Sequence, residues 1–378
     1  MKKVLIANAV PTNNGDAALV FALRDKLIES GYEVVISTLK KNVVEKLYPD
    51  VTWIKSEYEY NRIERKLVFL FPKFREKLLE FKIRRNKIYS DIDIVISAPG
   101  GYINSYYGIE DRIYFMKYLK ELYNHKLIMY SQSVGPLNDR DNIILKDNMN
   151  MFDLFMVRDE ASFKNVSEFS NVIKTNDAAF LLNPMKLKED IKTNTVGISV
   201  REWGHDGRDK DKYKELIKSI VYECVKNGYD LEFISTCQGL DGYVDDSKIA
   251  QEIVDELEDN EIRKKIVINK RYNNLTELRE RISTFEFVIG TRLHMCILSI
   301  LAGVPAFNIS YEVKGRECYK ILGLSEYSID YNEDKEKGIE SVKKFIDSNI
   351  KLKDVYLEKA YEMNKQAKEY FEYMKSKL

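Results

Sequence analysis

The sequence predicts an α/β protein in which two domains each contain a doubly wound parallel sheet. Short apolar segments, such as residues 4–9, 92–97 and 195–200, have the length and composition of buried strands. Segments with helical periodicity alternate with them, and this alternation is typical of parallel sheets. A chain of 378 residues is also long enough for two domains. The predicted fold class is therefore α/β with two Rossmann-like domains.

The composition indicates a large core beneath a charged surface. Apolar residues make up 44% of the chain, and 60 basic residues balance 60 acidic ones, so no net charge attracts nucleic acid. The four cysteines are scattered through mostly apolar segments, which favours reduced, buried thiols over a disulfide or a metal site. The N-terminus lacks a signal-peptide pattern, and no apolar run approaches the ~20 residues of a membrane span. We therefore expect a cytoplasmic protein.

The first domain is predicted to cover residues 1–185. A strand at 4–9 leads into a turn at 11–16 and a helix at 17–30, which together form one β-loop-α unit. The same unit then recurs along the domain. Further strands are predicted at residues 33–37, 51–55, 92–97, 126–132, 154–157 and 172–174, and further helices at residues 42–47, 112–123 and 143–151.

A basic segment at residues 59–88 interrupts this alternation. Between residues 62 and 87 there are ten Lys or Arg residues against three Glu, a net charge of +7, and the apolar run 67–71 lies in the middle. One interpretation is a long solvated helix whose apolar run is buried in the core. The other is a basic, aromatic surface that lies on an anionic membrane, which would make the protein peripheral at the inner face of the plasma membrane.

The second domain is predicted to cover residues 186–333. Its apolar run at 285–289 ends at Gly290, and Thr291 is expected to cap the helix that follows. Residues 334–378 are charged and helical, and we expect them to pack back across both domains. The other strands of this domain are predicted at residues 195–200, 231–235, 266–269 and 305–309, and its helices at residues 212–227, 247–257, 275–283 and 295–302.

Arg201, Arg292 and His294 form the strongest candidate site. Arg201 follows one predicted strand, and Arg292 and His294 follow another, at the strand ends where α/β sheets bind ligands. Two guanidinium groups suit a ligand with two anionic groups, and an imidazole beside them can carry a proton. The alternative is that the arginines pair with nearby acids such as Glu202 and that His294 only caps a helix.

Lys314 follows the strand predicted at 305–309 and would reach the same edge of the sheet. It is either a third cation of the site or an ordinary lysine in the first turn of a helix. The chain lacks the three spaced glycines of a dinucleotide site and the lysine of a phosphate-binding loop.

Two loops of the first domain are candidates for a second ligand. They contain Asn14, Gly15 and Asp16, and Gly100 and Gly101. Glycine lets the backbone approach a ligand closely, and an Asn or Asp side chain binds hydroxyl groups. Simple capping of the next helix explains Asp16 equally well.

Several short motifs occur in a fixed order along residues 3–325. They are Asn13-Asn14-Gly15-Asp16, Pro99-Gly100-Gly101, Ser131-Gln132-Ser133-Val134-Gly135-Pro136, Val157-Arg158-Asp159-Glu160, Gly197-Ile198-Ser199-Val200-Arg201 and Gly290-Thr291-Arg292-Leu293-His294. Each motif is weak alone, but the ordered set resembles the polysaccharide pyruvyl transferase family.

The resemblance implies a GT-B-type pair of Rossmann-like domains with a cleft between them and a C-terminal helical tail. It further implies a phosphoenolpyruvate donor and a sugar acceptor in a cell-surface polysaccharide or its lipid-linked precursor, with no metal or cofactor. By position, Arg201, Arg292 and Leu293 would hold the donor and His294 would be the catalytic acid/base. The two loops of the first domain would face the acceptor.

The sequence departs from the family pattern in the basic segment, which matches no motif, and after Asp177, where Ala178 and Ala179 stand near an expected proline. Both departures leave the identity of the acceptor open. Two other functions also remain open. A GT-B glycosyltransferase would share the fold, and its nucleotide sugar carries a diphosphate that arginines can bind. A non-catalytic binder of an anionic glycan would not need to keep the set of Arg201, Arg292 and His294.

Overall fold

The computed structural model describes residues 1–185, 194–202 and 207–378, and the chain divides into two compact units. The first unit consists of Met1–Thr12, Asp16–Leu181 and Gln366–Leu378, and the second of Asn13–Gly15 and Leu182–Lys365. The predicted domain boundary between residues 185 and 186 adjoins residues 186–193, which lie outside the described part of the chain. That boundary therefore stays a prediction.

In the described residues of the first unit, eight strands form one sheet, and all the recorded strand pairs are parallel. The strands are β1 (Lys3–Ala9), β2 (Glu33–Thr38), β3 (Trp53–Lys55), β4 (Ile94–Ser97), β5 (Gly100–Ile103), β6 (Lys126–Val134), β7 (Leu154–Val157) and β8 (Val172–Lys174). Their order is β3-β2-β1-β4-β6-β7-β8, and β5 pairs with β6. The chain order reverses between β1 and β4, so the sheet is doubly wound.

The helices of the first unit alternate with these strands. They are α1 (Asn14–Glu29), which belongs to this unit from Asp16 onward, α2 (Lys41–Leu47), α3 (Arg62–Leu70), α4 (Pro72–Arg85), α5 (Glu110–Tyr123), α6 (Asp139–Asn148) and α7 (Glu160–Val166). The predicted loop at residues 14–16 is wrong, because α1 begins at Asn14 and includes them in its first turn.

The predicted loop at Gly100 and Gly101 is also wrong, because both residues belong to β5. Gly100 pairs with Gln132 of the long strand β6, which continues past the end of β4 and provides a partner there. A Cβ atom on Gly100 would lie 3.0 Å from the ring of Tyr102, so a glycine suits this close approach.

The basic segment forms two helices, so the prediction of one long helix is wrong. Phe71 ends α3, and Pro72 occupies the first position of α4. The backbone N–H at this position has no partner within the helix, so a proline, which lacks that N–H, loses no hydrogen bond there. The interpretation that buries the apolar run is wrong as well. Val68 is buried, but Phe69, Leu70 and Phe71 are 83%, 63% and 59% exposed.

Two motifs of the ordered set meet at a buried ion pair between Arg158 and Asp177 in the first unit. Arg158 Nη1 donates to Asp177 Oδ2 at 2.7 Å, and its Nε donates to Ser133 Oγ at 2.8 Å. Ser133 in turn donates to Asp159 at 2.6 Å, and Asp159 caps α7. The ends of β6 and β7 are therefore joined by charged hydrogen bonds, which gives these motifs a structural role.

In the described residues of the second unit, six parallel strands form the sheet. They are β9 (Thr195–Ser199), β10 (Asp230–Phe233), β11 (Ile266–Ile268), β12 (Val288–Gly290), β13 (Ala306–Ser310) and β14 (Ser328–Asp330), in the order β11-β10-β9-β12-β13-β14. The helices are α8 (Lys210–Lys226), α9 (Ser247–Asp255), α10 (Asn260–Arg263), α11 (Leu275–Ile282), α12 (Leu293–Leu301), α13 (Val313–Ile321) and α14 (Lys335–Lys375). The α/β fold class with two parallel sheets is thus confirmed.

The predicted C-terminal helical tail is confirmed as the single helix α14. Its residues up to Lys365 belong to the second unit, and those from Gln366 belong to the first. In the parts of the chain that the structure describes, we find no helix with the length and apolar content needed to cross a bilayer.

Candidate functional site

The chain order of the second sheet reverses between β9 and β12, which lie side by side. Gly290 of β12 is in register with Ser199 of β9, and the N–H of Thr291 donates to the Ser199 carbonyl at 2.7 Å. Arg201 and Arg292 therefore follow neighbouring strands at the same edge of the sheet. Such a reversal point opens a crevice where α/β proteins bind ligands.

Arg292 is held by a carboxylate distant in sequence. Its Nε and Nη2 atoms each donate to Asp246 at 2.7 Å, and Ser235 Oγ also donates to Asp246 at 2.5 Å. The Arg292 and Asp246 side chains are only 14% and 3% exposed. Burial disfavours the charged guanidinium, but the Asp246 carboxylate outweighs burial and raises the pKa of Arg292 above its ordinary value. Arg292 is therefore a fixed cation whose Nη1 edge is left for other groups.

Arg201 is oriented by an aromatic ring. Its guanidinium carbon lies 4.3 Å from the centre of the Tyr311 ring, and Nη1 donates to the Tyr311 hydroxyl. Tyr311 directly follows β13, the neighbour of β12. Glu202, the acid considered as a local partner for the arginines, accepts from Lys210 at 3.1 Å.

A buried tyrosine links the two strand ends that carry the arginines. The Tyr213 hydroxyl hydrogen-bonds with Thr291 Oγ1 at 2.6 Å and accepts from the N–H of Arg201 at 3.3 Å. Its ring stacks on Tyr331 with centroids 3.9 Å apart, and burial raises its pKa. Thr291, which was expected to cap α12, binds Tyr213 instead, and Arg292 is the capping residue.

His294 is the second residue of α12, a helix whose other eight residues are all buried. The imidazole is half-buried, so α12 presents this one side chain at its N-terminal end. A helix N-terminus also directs N–H groups and a positive dipole toward an anion. Leu293 precedes it and its side chain is buried, so only its backbone can face a ligand.

Asn14 and Gly15, predicted to face the acceptor, belong to the unit that contains His294. The N–H of Asn14 donates to the Thr236 carbonyl and its Nδ2 to the Asn273 carbonyl, both at 2.8 Å. Gly15 lies against the imidazole, because a Cβ atom there would be 2.9 Å from His294 Nδ1. The glycine therefore makes room for a side chain of the protein.

We expect Gly15→Ala to lower turnover far more than it lowers stability. The new methyl group would push the imidazole of His294 aside. The fold can accommodate this movement of one side chain, but the imidazole would no longer be aligned with the substrate. Misplacing a catalytic group by about 1 Å can lower the reaction rate roughly 10²-fold. Steady-state kinetics and thermal unfolding of the same samples measure the two effects. Equal turnover in the variant and the parent would show that the position of His294 is unimportant.

The remaining predicted residues divide between the two units. Lys314 lies in the first turn of α13 and pairs with Glu312, so its charge is already partly balanced. The first unit contains Asp16, which follows β1, and Gly100 and Gly101, which follow β4. In the parts of the chain that are described, no three His, Cys, Asp or Glu side chains are grouped to hold a metal ion.

Cys296 lies one turn after Arg292 but is inert. Burial raises the pKa of its thiol to about 12, and Sγ lies 3.5 Å from the Gly290 carbonyl oxygen. A Cβ atom on Gly290 would approach Sγ to 2.7 Å, so the glycine of this motif makes room for the thiol.

A family model of polysaccharide pyruvyl transferases matches residues 13–313 of this chain. The chain belongs to the polysaccharide pyruvyl transferase family. The matched region contains Arg201, Arg292 and His294 and ends one residue before Lys314. The chain is also similar to the amylovoran biosynthesis protein AmsJ of Erwinia amylovora, with 24% identity over 377 residues, and the match covers 87% of this chain and 88% of AmsJ.

Solved structures resemble this pyruvyl transferase family member in fold alone. Alr3699/HepE of Anabaena, solved with UDP and glucose, has a TM-score of 0.65 over 100% of both chains at 9% identity. UDP-GlcNAc 2-epimerase of Methanocaldococcus jannaschii has a TM-score of 0.58 at 13% identity, over 91% of this chain and 92% of the epimerase chain. MurG of Acinetobacter baumannii has a TM-score of 0.56 over 100% of both chains at 12% identity. These likenesses confirm the predicted GT-B type of fold.

Proposed function

We propose that this chain transfers a pyruvyl group from phosphoenolpyruvate to a sugar of a cell-surface polysaccharide or of its lipid-linked precursor, forming a ketal. The observation that carries this proposal is the grouping of Arg201 and Arg292 at neighbouring strand ends, with His294 in the first turn after Arg292. Family membership and the AmsJ relative support a role in polysaccharide modification.

Phosphoenolpyruvate carries a phosphate and a carboxylate on one small carbon frame, so it needs two anion-binding groups close together. Arg292, fixed by Asp246, offers the Nη1 edge of its guanidinium, and Arg201, stacked on Tyr311, offers a second cation. The backbone N–H groups of Leu293 and His294 at the start of α12 would add neutral donors. Lys314 would complete the set by turning from Glu312 toward the phosphate.

The reaction requires one proton donor and acceptor. His294, in its protonated form, would donate to the methylene carbon of phosphoenolpyruvate, which becomes a methyl group and leaves an oxocarbenium ion at the adjacent carbon. A sugar hydroxyl attacks that carbon and returns its proton to the imidazole. A second hydroxyl then displaces inorganic phosphate, which leaves with the second hydroxyl proton, and the two arginines stabilise the charge of the departing phosphate.

The acceptor would lie nearest Asn14, Gly15, Asp16, Gly100 and Gly101. Gly15 already lies beside the imidazole, so a sugar bound there would be close to the proton carrier. A lipid-linked acceptor would bring this enzyme to the cytoplasmic face of the membrane as a peripheral protein.

A second candidate is a glycosyltransferase that uses a nucleotide sugar. The observation that favours it is the fold shared with Alr3699/HepE, whose structure was solved with UDP and glucose. A diphosphate would occupy the same arginines.

Thermal unfolding with each ligand separates the two candidates. We expect phosphoenolpyruvate to raise the unfolding temperature, because a ligand at ~100 times its Kd stabilises the folded state by about 2.7 kcal/mol. UDP and GDP should have a smaller effect. Stabilisation by a nucleotide alone would reject the phosphoenolpyruvate donor, and stabilisation by an anionic glycan alone would favour a non-catalytic binder.

A further inference from the structure

Helix α3 turns an apolar face toward solvent. Ile63, Leu67 and Leu70 are spaced as i, i+4 and i+7, so they form one stripe along the helix, and all three are exposed. A surface helix ordinarily buries such a stripe against the core. Here the core contact of α3 is made by Val68, on a different side of the helix.

The exposed apolar residues extend through the junction between α3 and α4, which we call the elbow and define as residues 69–74. Phe69, Leu70 and Phe71 lie there, and Phe74 follows in the first turn of α4. The elbow itself is well anchored, because Leu79 and Ile83 of α4 are buried. The helix that follows the elbow is thus packed on the core.

The charges around the elbow are unbalanced in favour of the basic residues. The three glutamates of the segment are already engaged: Glu64 pairs with Lys82, Glu80 pairs with Arg84, and Glu76 accepts from Tyr118. Arg75 pairs with Glu110 and Asp111. Between residues 62 and 87, the exposed cations for which the structure records no ion pair are Arg62, Arg65, Lys66, Lys73, Lys77, Arg85 and Lys87.

We propose that the elbow is a membrane-docking surface, which inserts Phe69, Leu70 and Phe71 into an anionic phospholipid bilayer while the surrounding lysines and arginines bind the headgroups. An amphipathic element with a basic rim and an aromatic and aliphatic centre has the chemistry of an interfacial anchor. Phosphate headgroups are complementary to the unpaired cations. This surface is separate from the arginines and histidine of the proposed donor site, so the inference does not rest on the proposed reaction.

A bilayer fits this surface better than a soluble polyanion. A nucleic acid or an anionic glycan would account for the cations and could stack on Phe69 and Phe71, but it would leave the aliphatic stripe of Ile63, Leu67 and Leu70 in water. Hydrocarbon chains accept aliphatic and aromatic side chains alike. The proposal therefore requires that both the charges and the apolar residues contribute to binding.

Sedimentation with vesicles tests both requirements on the full chain. The vesicles contain equal parts of phosphatidylglycerol and phosphatidylcholine, or phosphatidylcholine alone. We expect the parent chain to sediment with the anionic vesicles at low salt and to be released by salt, since ions screen such contacts beyond ~10 Å at 0.1 M. The fourfold variant Lys66→Glu, Lys73→Glu, Lys77→Glu and Arg85→Glu should lose at least about tenfold in binding.

A control variant separates the surface from the overall charge. Lys226→Glu, Lys344→Glu, Lys351→Glu and Lys365→Glu change the net charge equally at exposed positions of the second unit and should leave binding unchanged. Arg75 is kept in all variants, because its ion pairs hold α4 to the N-terminal turn of α5. Thermal unfolding confirms that each variant is folded.

The apolar requirement is tested by Phe69→Ser with Leu70→Ser, which should weaken binding to anionic vesicles at unchanged charge. In a Phe69→Trp variant, tryptophan emission should shift to the blue when these vesicles are added. Equal sedimentation of the parent and the fourfold Glu variant would overturn the proposal. Full binding by the double Ser variant would overturn insertion, and a parent that instead self-associates through this face would identify a protein interface.

Discussion

Replacing His294 with alanine should lower turnover by about 10²–10⁴-fold while changing phosphoenolpyruvate affinity by less than about tenfold. The reason is the position of the imidazole. His294 is the one incompletely buried side chain of α12, in the first turn of that helix and two residues after Arg292. In the proposed reaction, the protonation of carbon and the deprotonation of a sugar hydroxyl both need one such group, whereas donor binding would depend mainly on the arginines.

Two controls distinguish a proton carrier from a residue that only supports the fold. His294→Gln keeps a polar side chain of similar reach and should be as slow as His294→Ala. Added imidazole should partly restore turnover in the alanine variant, because it can enter the vacated space and carry the proton. Near-parental turnover in a folded alanine variant would return His294 to the role of a helix cap.

Replacing Arg292 with alanine should weaken phosphoenolpyruvate binding by about 2–5 kcal/mol, the scale for removing one partner of a desolvated charge pair. The substitution removes a cation and also leaves Asp246, which is 3% exposed, as an unpaired carboxylate at the anion site. Arg292→Lys should restore little, since an ammonium cannot bind Asp246 through two nitrogens and still reach a ligand. Titration calorimetry measures these affinities.

A double variant separates stability from donor binding. Arg292→Met with Asp246→Asn removes both charges, so it should recover much of the thermal stability that Arg292→Ala loses, but it should not recover donor affinity. Arg201→Ala should also weaken phosphoenolpyruvate binding. Tyr311→Phe keeps the ring under the Arg201 guanidinium, so it should weaken that binding less than Arg201→Ala does. Unchanged affinity in both alanine variants would remove the arginines from the donor site.

Local pattern was sufficient to predict the fold class and the neighbouring arginines. The apolar runs that became β9 and β12 are short and end at polar residues, and the rule that the carboxyl ends of parallel strands share an edge then groups Arg201 with Arg292. The partners that orient these arginines were missed. Asp246 lies 46 residues from Arg292 in a loop without periodicity, and no signal in one sequence connects them.

Other features depend on packing that sequence patterns do not encode. Tyr311, directly after a predicted strand and beside Lys314, could have been suspected from its position, whereas Tyr213 lies inside a helix and resembles any core aromatic residue. The motif around Gly15 indicates a close approach, but only the structure shows that the neighbour is His294. The basic segment has the same composition whether residues 67–71 face the core or solvent, so only the structure shows that most of this run is exposed.

The proposed reaction moves a pyruvyl group from phosphoenolpyruvate onto a glycan. The most direct test is mass spectrometry of a lipid-linked oligosaccharide incubated with the protein and phosphoenolpyruvate. We predict that the glycan gains the mass of one pyruvyl ketal, that one phosphate is released for each ketal, and that the ketal methyl group gains one deuterium when the reaction is run in heavy water. A glycan that instead gains a hexose from a nucleotide sugar, and gains nothing from phosphoenolpyruvate, would show that the chain is not a pyruvyl transferase.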